Sequence, residues 1–139
     1  MGGAGSSRIT IRSGVAQRGA LAEFVDDLQV AGRLTFTRDE AMAALGVSMS
    51  ALKQAALRLV KRGRLVSPRR GFYVIVPLEH RAAGAPPLDT WLPAMLQFQG
   101  TRELGREVGG GEVVVTVDRR LRAVSVGGVS VDFRRVGGR

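Results

Sequence analysis

The stretch from Thr37 to Gly63 contains the start and stop signals of two consecutive helices. Thr37 and Glu40 have the spacing of a capping box, in which each side chain bonds the backbone N–H of the other residue. Gly46 predicts the end of that helix, Ser48 predicts the N-cap of the next one, and Gly63 predicts its end. The Leu-Gly-Val-Ser turn between them is typical of a helix-turn-helix, because glycine supplies the left-handed residue that a sharp turn needs.

Further elements are predicted on both sides of this pair. Apolar residues at helical spacing predict a first helix over residues 17–32, and LTFT (34–37) is short and β-prone. After Gly63, RLVSP and FYVIVP predict a two-stranded hairpin with Arg69 and Arg70 at its tip. Three helices followed by such a hairpin predict the α+β class, with an N-terminal winged helix-turn-helix over residues 17–80.

The rest of the chain is predicted to be a linker followed by strands. Residues 81–111 are predicted to be a linker with a short Trp-containing helix, LDTWLPAMLQF, capped by Asp89 or Thr90. Residues 112–139 are predicted to be a small antiparallel β segment of three strands, with a hairpin turn at Gly127–Gly128. Because three strands alone make a small core, we expect this segment to pack on the helical domain or on another chain.

Positive charge is concentrated in the first 70 residues. The whole chain has 21 basic and 12 acidic residues, a net charge of +9. Residues 1–70 contain 12 Lys and Arg against 5 Asp and Glu, a net of +7, whereas residues 71–139 contain 9 against 7, a net of +2. Such a basic domain is typical of nucleic-acid binding, in which phosphate neutralisation provides sequence-independent affinity. Residues 1–16 are predicted to be a flexible tail, in which Arg8 and Arg12 are candidates for a minor-groove arm.

The third predicted helix has two different faces. Taken at 100° per residue, one face is apolar and predicted to be buried, and it consists of Leu52, Ala55, Ala56 and Leu59. The outer face combines cations, which suit phosphates, with short polar groups, which suit base edges. With the cap and the hairpin tip, the predicted DNA-binding residues are Ser48, Ser50, Lys53, Gln54, Leu57, Arg58, Lys61, Arg69 and Arg70. For Leu57 three roles stay open: contact with a thymine methyl, packing under the wing, or a protein contact.

The segment after the arginine tip, RGFYVIVPLEHRAAGAPPLDTWLPAML, also carries a family resemblance. Joined to the helix-turn-helix, it resembles the N-terminal region of the AbiEi-type antitoxins of type IV toxin–antitoxin systems, over about residues 17–98. The matching positions are Tyr73, Ile75, Val76, Pro77, Glu79, Gly84, Pro86, Pro87 and Trp91. The resemblance implies an autorepressor that binds operator DNA and is paired with a nucleotidyltransferase-like toxin. The strands after Glu112 resemble the start of the C-terminal domain of that family.

Other classes of function have little support in the sequence. There is no cysteine and a single histidine, His80, and the carboxylates are scattered through turns, so we expect no enzyme, no metal and no cofactor. Gly109–Gly111 lack the Gly-Lys-Ser/Thr of a phosphate loop. We expect a cytoplasmic protein without a membrane partner, and a homodimer stays open. The alternative function is a winged-helix protein-interaction module, a toxin neutraliser or scaffold that does not bind specific DNA.

Overall fold

The structure is a computed structural model, and it describes residues 14–137, with side chains from residue 19 onward. Its mixed α+β class is the predicted one. The elements in chain order are α1 (Gly14–Val30), β1 (Thr35–Thr37), α2 (Arg38–Leu45), α3 (Met49–Lys61), β2 (Leu65–Arg69), β3 (Phe72–Ile75), a short 3-10 helix (Leu78–His80), α4 (Leu88–Phe98), β4 (Gly105–Gly109), β5 (Glu112–Val117), β6 (Val124–Val126) and β7 (Val129–Arg135). Among these described elements, no helix is long and apolar enough to span a membrane.

The first helix begins earlier in the chain than predicted. Because α1 begins at Gly14, residues 14–16 of the predicted flexible tail are helical. Arg8 and Arg12, the candidates for a minor-groove arm, lie outside the described residues.

The predicted caps of α2 and α3 are present. The Thr37 hydroxyl accepts a hydrogen bond from the Glu40 N–H at 3.0 Å, and the Thr37 N–H donates to the Glu40 carboxylate at 2.9 Å. Gly46 ends α2 in the left-handed region, at φ 65°. The Ser48 hydroxyl then accepts from the Ala51 N–H at 3.1 Å and starts α3. The turn between the two helices is therefore set by residues that are local in sequence.

The first sheet has the order β1-β3-β2 and is antiparallel throughout. The predicted hairpin is present as β2 and β3, joined at Arg70 and Gly71, and the β-prone LTFT segment adds β1 on the other side of β3. The central strand, β3, is buried on both faces. Tyr73 and Ile75 pack in a core with the three helices, whereas Phe72 and Val74 pack in a second core with α4 and the C-terminal sheet. The C-terminal segment therefore packs on the N-terminal domain of its own chain, through β3.

The second sheet corrects the predicted antiparallel β segment. Its order is β4-β5-β7-β6, and β5 and β7 run parallel. The hairpin turn at Gly127–Gly128 joins β6 to β7 as predicted, but β7 rather than β6 lies beside β5. The physical reason is length: β7 pairs with all of β5, from Glu112 to Val117, and the three residues of β6 could not satisfy that many backbone groups.

The range predicted as a linker, 81–111, contains both α4 and β4. The predicted Trp-containing helix is present, but it starts at Leu88 after Pro87 and has no side-chain cap, so the expectation of a cap at Asp89 or Thr90 is wrong. The Asp89 carboxylate instead pairs with Arg106 at 2.6 Å. The predicted domain ranges themselves stay predictions.

A close approach ties the second sheet to the segment before α4. A Cβ on Gly127 would lie 2.8 Å from the Ala83 carbonyl oxygen and from Ala85 Cβ, so only glycine fits there, at φ 59°.

Candidate nucleic-acid interface

The α3 helix separates its buried and exposed residues as its sequence predicts. The buried side consists of Leu52, Ala55, Ala56 and Leu59, all of which pack in the helical core. The opposite side is exposed. The structure thus brings together six predicted site residues on one exposed surface: Ser50, Lys53, Gln54, Leu57, Arg58 and Lys61.

The exposed side of α3 is positively charged without local compensation. It carries Lys53, Arg58 and Lys61, and the helix contains no aspartate or glutamate. Within the described part of the chain, none of these three cations forms an ion pair. Arg58 and Lys61 lie in the last turn, where they also complement the helix dipole. Solvated, unpaired cations on a rigid helix are suited to neutralise phosphates.

A groove lies beside the turn that precedes α3. Its volume is about 410 Å³, and its walls include Leu45 and Val47 from the turn. The polar groups along it belong to the predicted site: Ser48, Ser50, Gln54 and Arg58. The structure therefore places the Ser48 cap next to the polar residues of the outer face.

Leu57 is exposed to 53% in the middle of this surface. This exposure disfavours one of its three predicted roles, packing under the wing. Contact with a thymine methyl and contact with a protein both remain open.

The two predicted wing arginines lie in different environments. Arg70 is exposed at the hairpin tip, as predicted. Arg69 is turned toward the C-terminal half, where its Nε donates to the Gln99 side-chain oxygen and its Nη2 donates to the Arg122 carbonyl. Its guanidinium carbon also lies 5.7 Å from the centre of the Phe133 ring. These contacts hold the Arg69 guanidinium against the C-terminal half, and its predicted DNA contact stays a prediction.

The environment of Arg69 shows that positive charge accumulates there. Burial lowers the pKa of Arg69, and the nearby charge of Arg122 lowers it further. Arg122 belongs to the loop between β5 and β6 and is not among the predicted site residues. The Arg-Arg-Leu-Arg sequence at 119–122 indicates a local cluster of positive charge in this loop. The low net charge of residues 71–139 as a whole does not reveal this cluster.

Several of the described carboxylates form ion pairs with arginines. In residues 14–137 no cluster of three or more His, Asp or Glu side chains could hold a metal ion. Several carboxylates are instead partners of arginines: Glu40 with Arg33, Asp26 with Arg64, Asp89 and Glu103 with Arg106, and Glu107 with Arg134. The two hydrogen-bonded carboxylates raise the pKa of Arg106, as a structural ion pair does.

The comparison with protein families identifies the segment that carries this surface. A family model described as a transcriptional regulator, AbiEi antitoxin, matches residues 23–76. Residues 23–76 are therefore similar to AbiEi-type transcriptional regulators, and we call them the AbiEi-type segment. The AbiEi-type segment begins within α1, ends directly after β3, and contains all of the predicted site residues. The predicted resemblance is thus confirmed over residues 23–76, and the matching family is one of transcriptional regulators of the antitoxin class. No curated protein and no solved structure matches the chain significantly.

Proposed function

We propose that the AbiEi-type segment is a winged helix-turn-helix that binds double-stranded DNA and represses the operon encoding it. The observation that carries this proposal is the exposed side of α3, which presents three cations and no acidic residue. The family match supports the same general function.

The chemistry of the surface suggests how the contacts are divided. Lys53, Arg58 and Lys61 neutralise phosphates on both sides of the major groove, while Gln54 has the amide geometry that pairs with the N6 and N7 atoms of adenine. Ser50 contacts a base edge or a sugar, and Leu57 contacts a thymine methyl.

The cap and the wing have auxiliary roles in this proposal. Ser48 keeps its hydroxyl proton for a phosphate oxygen while the oxygen caps α3. At the wing, Arg70 alone contacts the backbone or the adjacent minor groove, and Arg69 is a positioning residue that holds the hairpin tip.

Two further statements follow from the resemblance and belong to the same proposal. The chain acts by binding rather than by catalysis, and its protein partner is a nucleotidyltransferase-like toxin encoded in the same operon. The toxin partnership is tested by expressing the neighbouring gene with and without this chain and measuring growth.

The DNA-binding proposal is tested by titrating a duplex from the promoter of the chain's own operon at several salt concentrations. Log K should fall linearly with log salt, and the double variant Lys53→Ala, Lys61→Ala should make the slope shallower by about 1.8, since each phosphate contact contributes about 0.9. Gln54→Ala should instead relax the preference at one base pair, at a cost of about 1–3 kcal/mol. Arg81→Ala, Arg134→Ala is a matched control, because it removes the same charge from exposed sites outside α3 and the wing.

Binding of the promoter duplex that does not change with salt would contradict the proposal. In that case the exposure of Leu57 favours the second candidate, a protein-interaction module. Leu57→Ser should then abolish capture of the toxin in a salt-insensitive assay, whereas the lysine variant should leave it unchanged.

A further inference from the structure

A cleft rich in arginine lies between the hairpin tip and the loop that joins β5 to β6. Its volume is about 690 Å³, and it is lined by Pro68, Arg69, Arg70, Gln99, Arg120, Leu121 and Arg122. A neighbouring concavity of about 440 Å³ shares Gln99, Arg120 and Leu121 with it. The second concavity adds Arg119 and Arg135. We call the combined surface the arginine cleft; its cations are Arg69, Arg70, Arg119, Arg120, Arg122 and Arg135.

The arginine cleft has almost no negative charge of its own. Asp118 is the one carboxylate among its lining residues, and its Oδ1 accepts a hydrogen bond from the Thr101 hydroxyl. None of the six arginines forms an ion pair within residues 14–137. Six like charges that the fold holds together with a single carboxylate among them create a local positive potential that attracts a polyanion.

Gln99, the residue after α4, gives the arginine cleft a fixed frame. Its side-chain oxygen accepts from Arg69, and its backbone carbonyl accepts from the Arg119 guanidinium. The Arg122 carbonyl accepts a further bond from Arg69. These bonds join the hairpin tip, the end of α4 and the β5–β6 loop. Arg70, Arg120 and Arg122 remain exposed on this frame.

We infer that the arginine cleft binds backbone phosphates of the duplex contacted by α3, so that the C-terminal half extends the DNA-binding surface beyond the wing. This inference rests on the proposed function, and the shared residue is Arg70, which is both the wing tip and part of the cleft. Guanidinium groups match phosphate oxygens bidentately, whereas the cleft offers few groups that could read a base, since the Gln99 oxygen is already bonded. The contact is therefore independent of DNA sequence.

The test measures the affinity of the double variant Arg120→Ala, Arg122→Ala and of the wild-type chain for a mixed-sequence duplex of about 30 base pairs, at several salt concentrations. The salt slope of the variant should be shallower by about 1.8, while the ratio of affinities for promoter and mixed duplexes stays unchanged. The matched control is Arg81→Ala, Arg134→Ala, which has the same net charge and lies outside the cleft. It should keep the wild-type slope. Thermal unfolding of all three proteins shows that the folds are intact.

Duplex length provides a second readout. The mixed duplex is shortened stepwise, and the affinities of the wild-type chain and the cleft variant are compared at each length. The wild-type chain should bind more tightly only while the DNA is long enough to reach past the wing. The inference would be overturned if the cleft variant had the same salt slope as the control and the same affinity as the wild-type chain at every duplex length. If Lys53→Ala, Lys61→Ala still weakens binding in that experiment, the proposed function stands; if wild-type binding is insensitive to salt, both are overturned.

Discussion

Arg69 and Arg70 are adjacent in sequence and have different environments in the folded chain. Arg69 is the last residue of β2, and its side chain lies over Phe133 and beside Gln99. Arg70 follows in the turn and is exposed. Because successive residues at a strand end face different directions, one arginine becomes part of the protein frame and the other remains a surface cation.

Tyr73 permits a direct test of the helical core, because it is the single tyrosine of the chain. It is buried and stacks on Phe36 with the ring centres 5.2 Å apart. Burial raises the pKa of Tyr73, and the charge of Arg38 offsets this in part. The phenolate absorbance should therefore titrate above the ordinary value of about 10 in the native protein and at about 10 in urea.

The same shift makes stability depend on alkaline pH. Since the folded pKa of Tyr73 lies above the unfolded one, the folded chain keeps a proton that the unfolded chain loses. The stabilisation is complete below the unfolded pKa and is lost as the pH rises through the folded pKa. Tyr73→Phe should remove this part of the alkaline decline, and Arg38→Ala should raise the native titration midpoint further. A native midpoint at or below the value in urea would show that the ring is solvated.

At the scale of elements, the start of α3 combines a structural and a proposed binding role in Ser48. Its hydroxyl caps the helix at 3.1 Å from the Ala51 nitrogen, and it borders the groove beside Gln54. Substitution by alanine alone would not separate these roles, because a frayed first turn would also displace Ser50.

A series of caps at position 48 separates them. Ser48→Ala should lower the free energy of unfolding by about 1 kcal/mol, whereas Ser48→Asp and Ser48→Asn should keep stability near that of the wild type, since both are good N-caps. The aspartate should weaken DNA binding by placing negative charge at the phosphate contact, and the asparagine should not. Thr37→Ala, which removes the cap of α2, should reduce stability with little effect on binding. Equal DNA affinity for the Asp and Asn variants would place Ser48 away from the duplex.

At the scale of the whole molecule, β3 joins two cores into one structure. Its residues alternate, so that Tyr73 and Ile75 belong to the helical core while Phe72 and Val74 belong to the core of α4 and the second sheet. Loss of either core leaves one face of β3 without packing, and we therefore expect both halves to unfold together.

This cooperativity can be measured because Trp91, the single tryptophan, lies in the second core. Leu52→Ala in the helical core should lower the free energy of unfolding by about 2–5 kcal/mol, and Leu92→Ala in the second core should do the same. Leu52→Ala should shift the Trp91 fluorescence transition as far as the circular-dichroism transition of the helices. A fluorescence transition that stays in place would show that the two cores unfold independently.

Residues close in the chain were sufficient to predict the helices and the exposed side of α3. The capping box at Thr37, the left-handed Gly46 and the Ser48 cap act over three or four residues, and the apolar period of α3 follows from helix geometry. These features could therefore be predicted from local sequence alone, and so could the AbiEi resemblance.

The remaining features depend on contacts between distant residues. Arg69 finds its partners 30 and 53 positions further along the chain, and the arginine cleft is assembled from the hairpin tip, the end of α4 and the β5–β6 loop. The parallel pairing of β5 with β7 likewise depends on which strand can satisfy the whole length of β5. Alternation along a strand shows which side chains share a face, but it does not select the neighbouring strand, and for that reason these features appeared only in the folded chain.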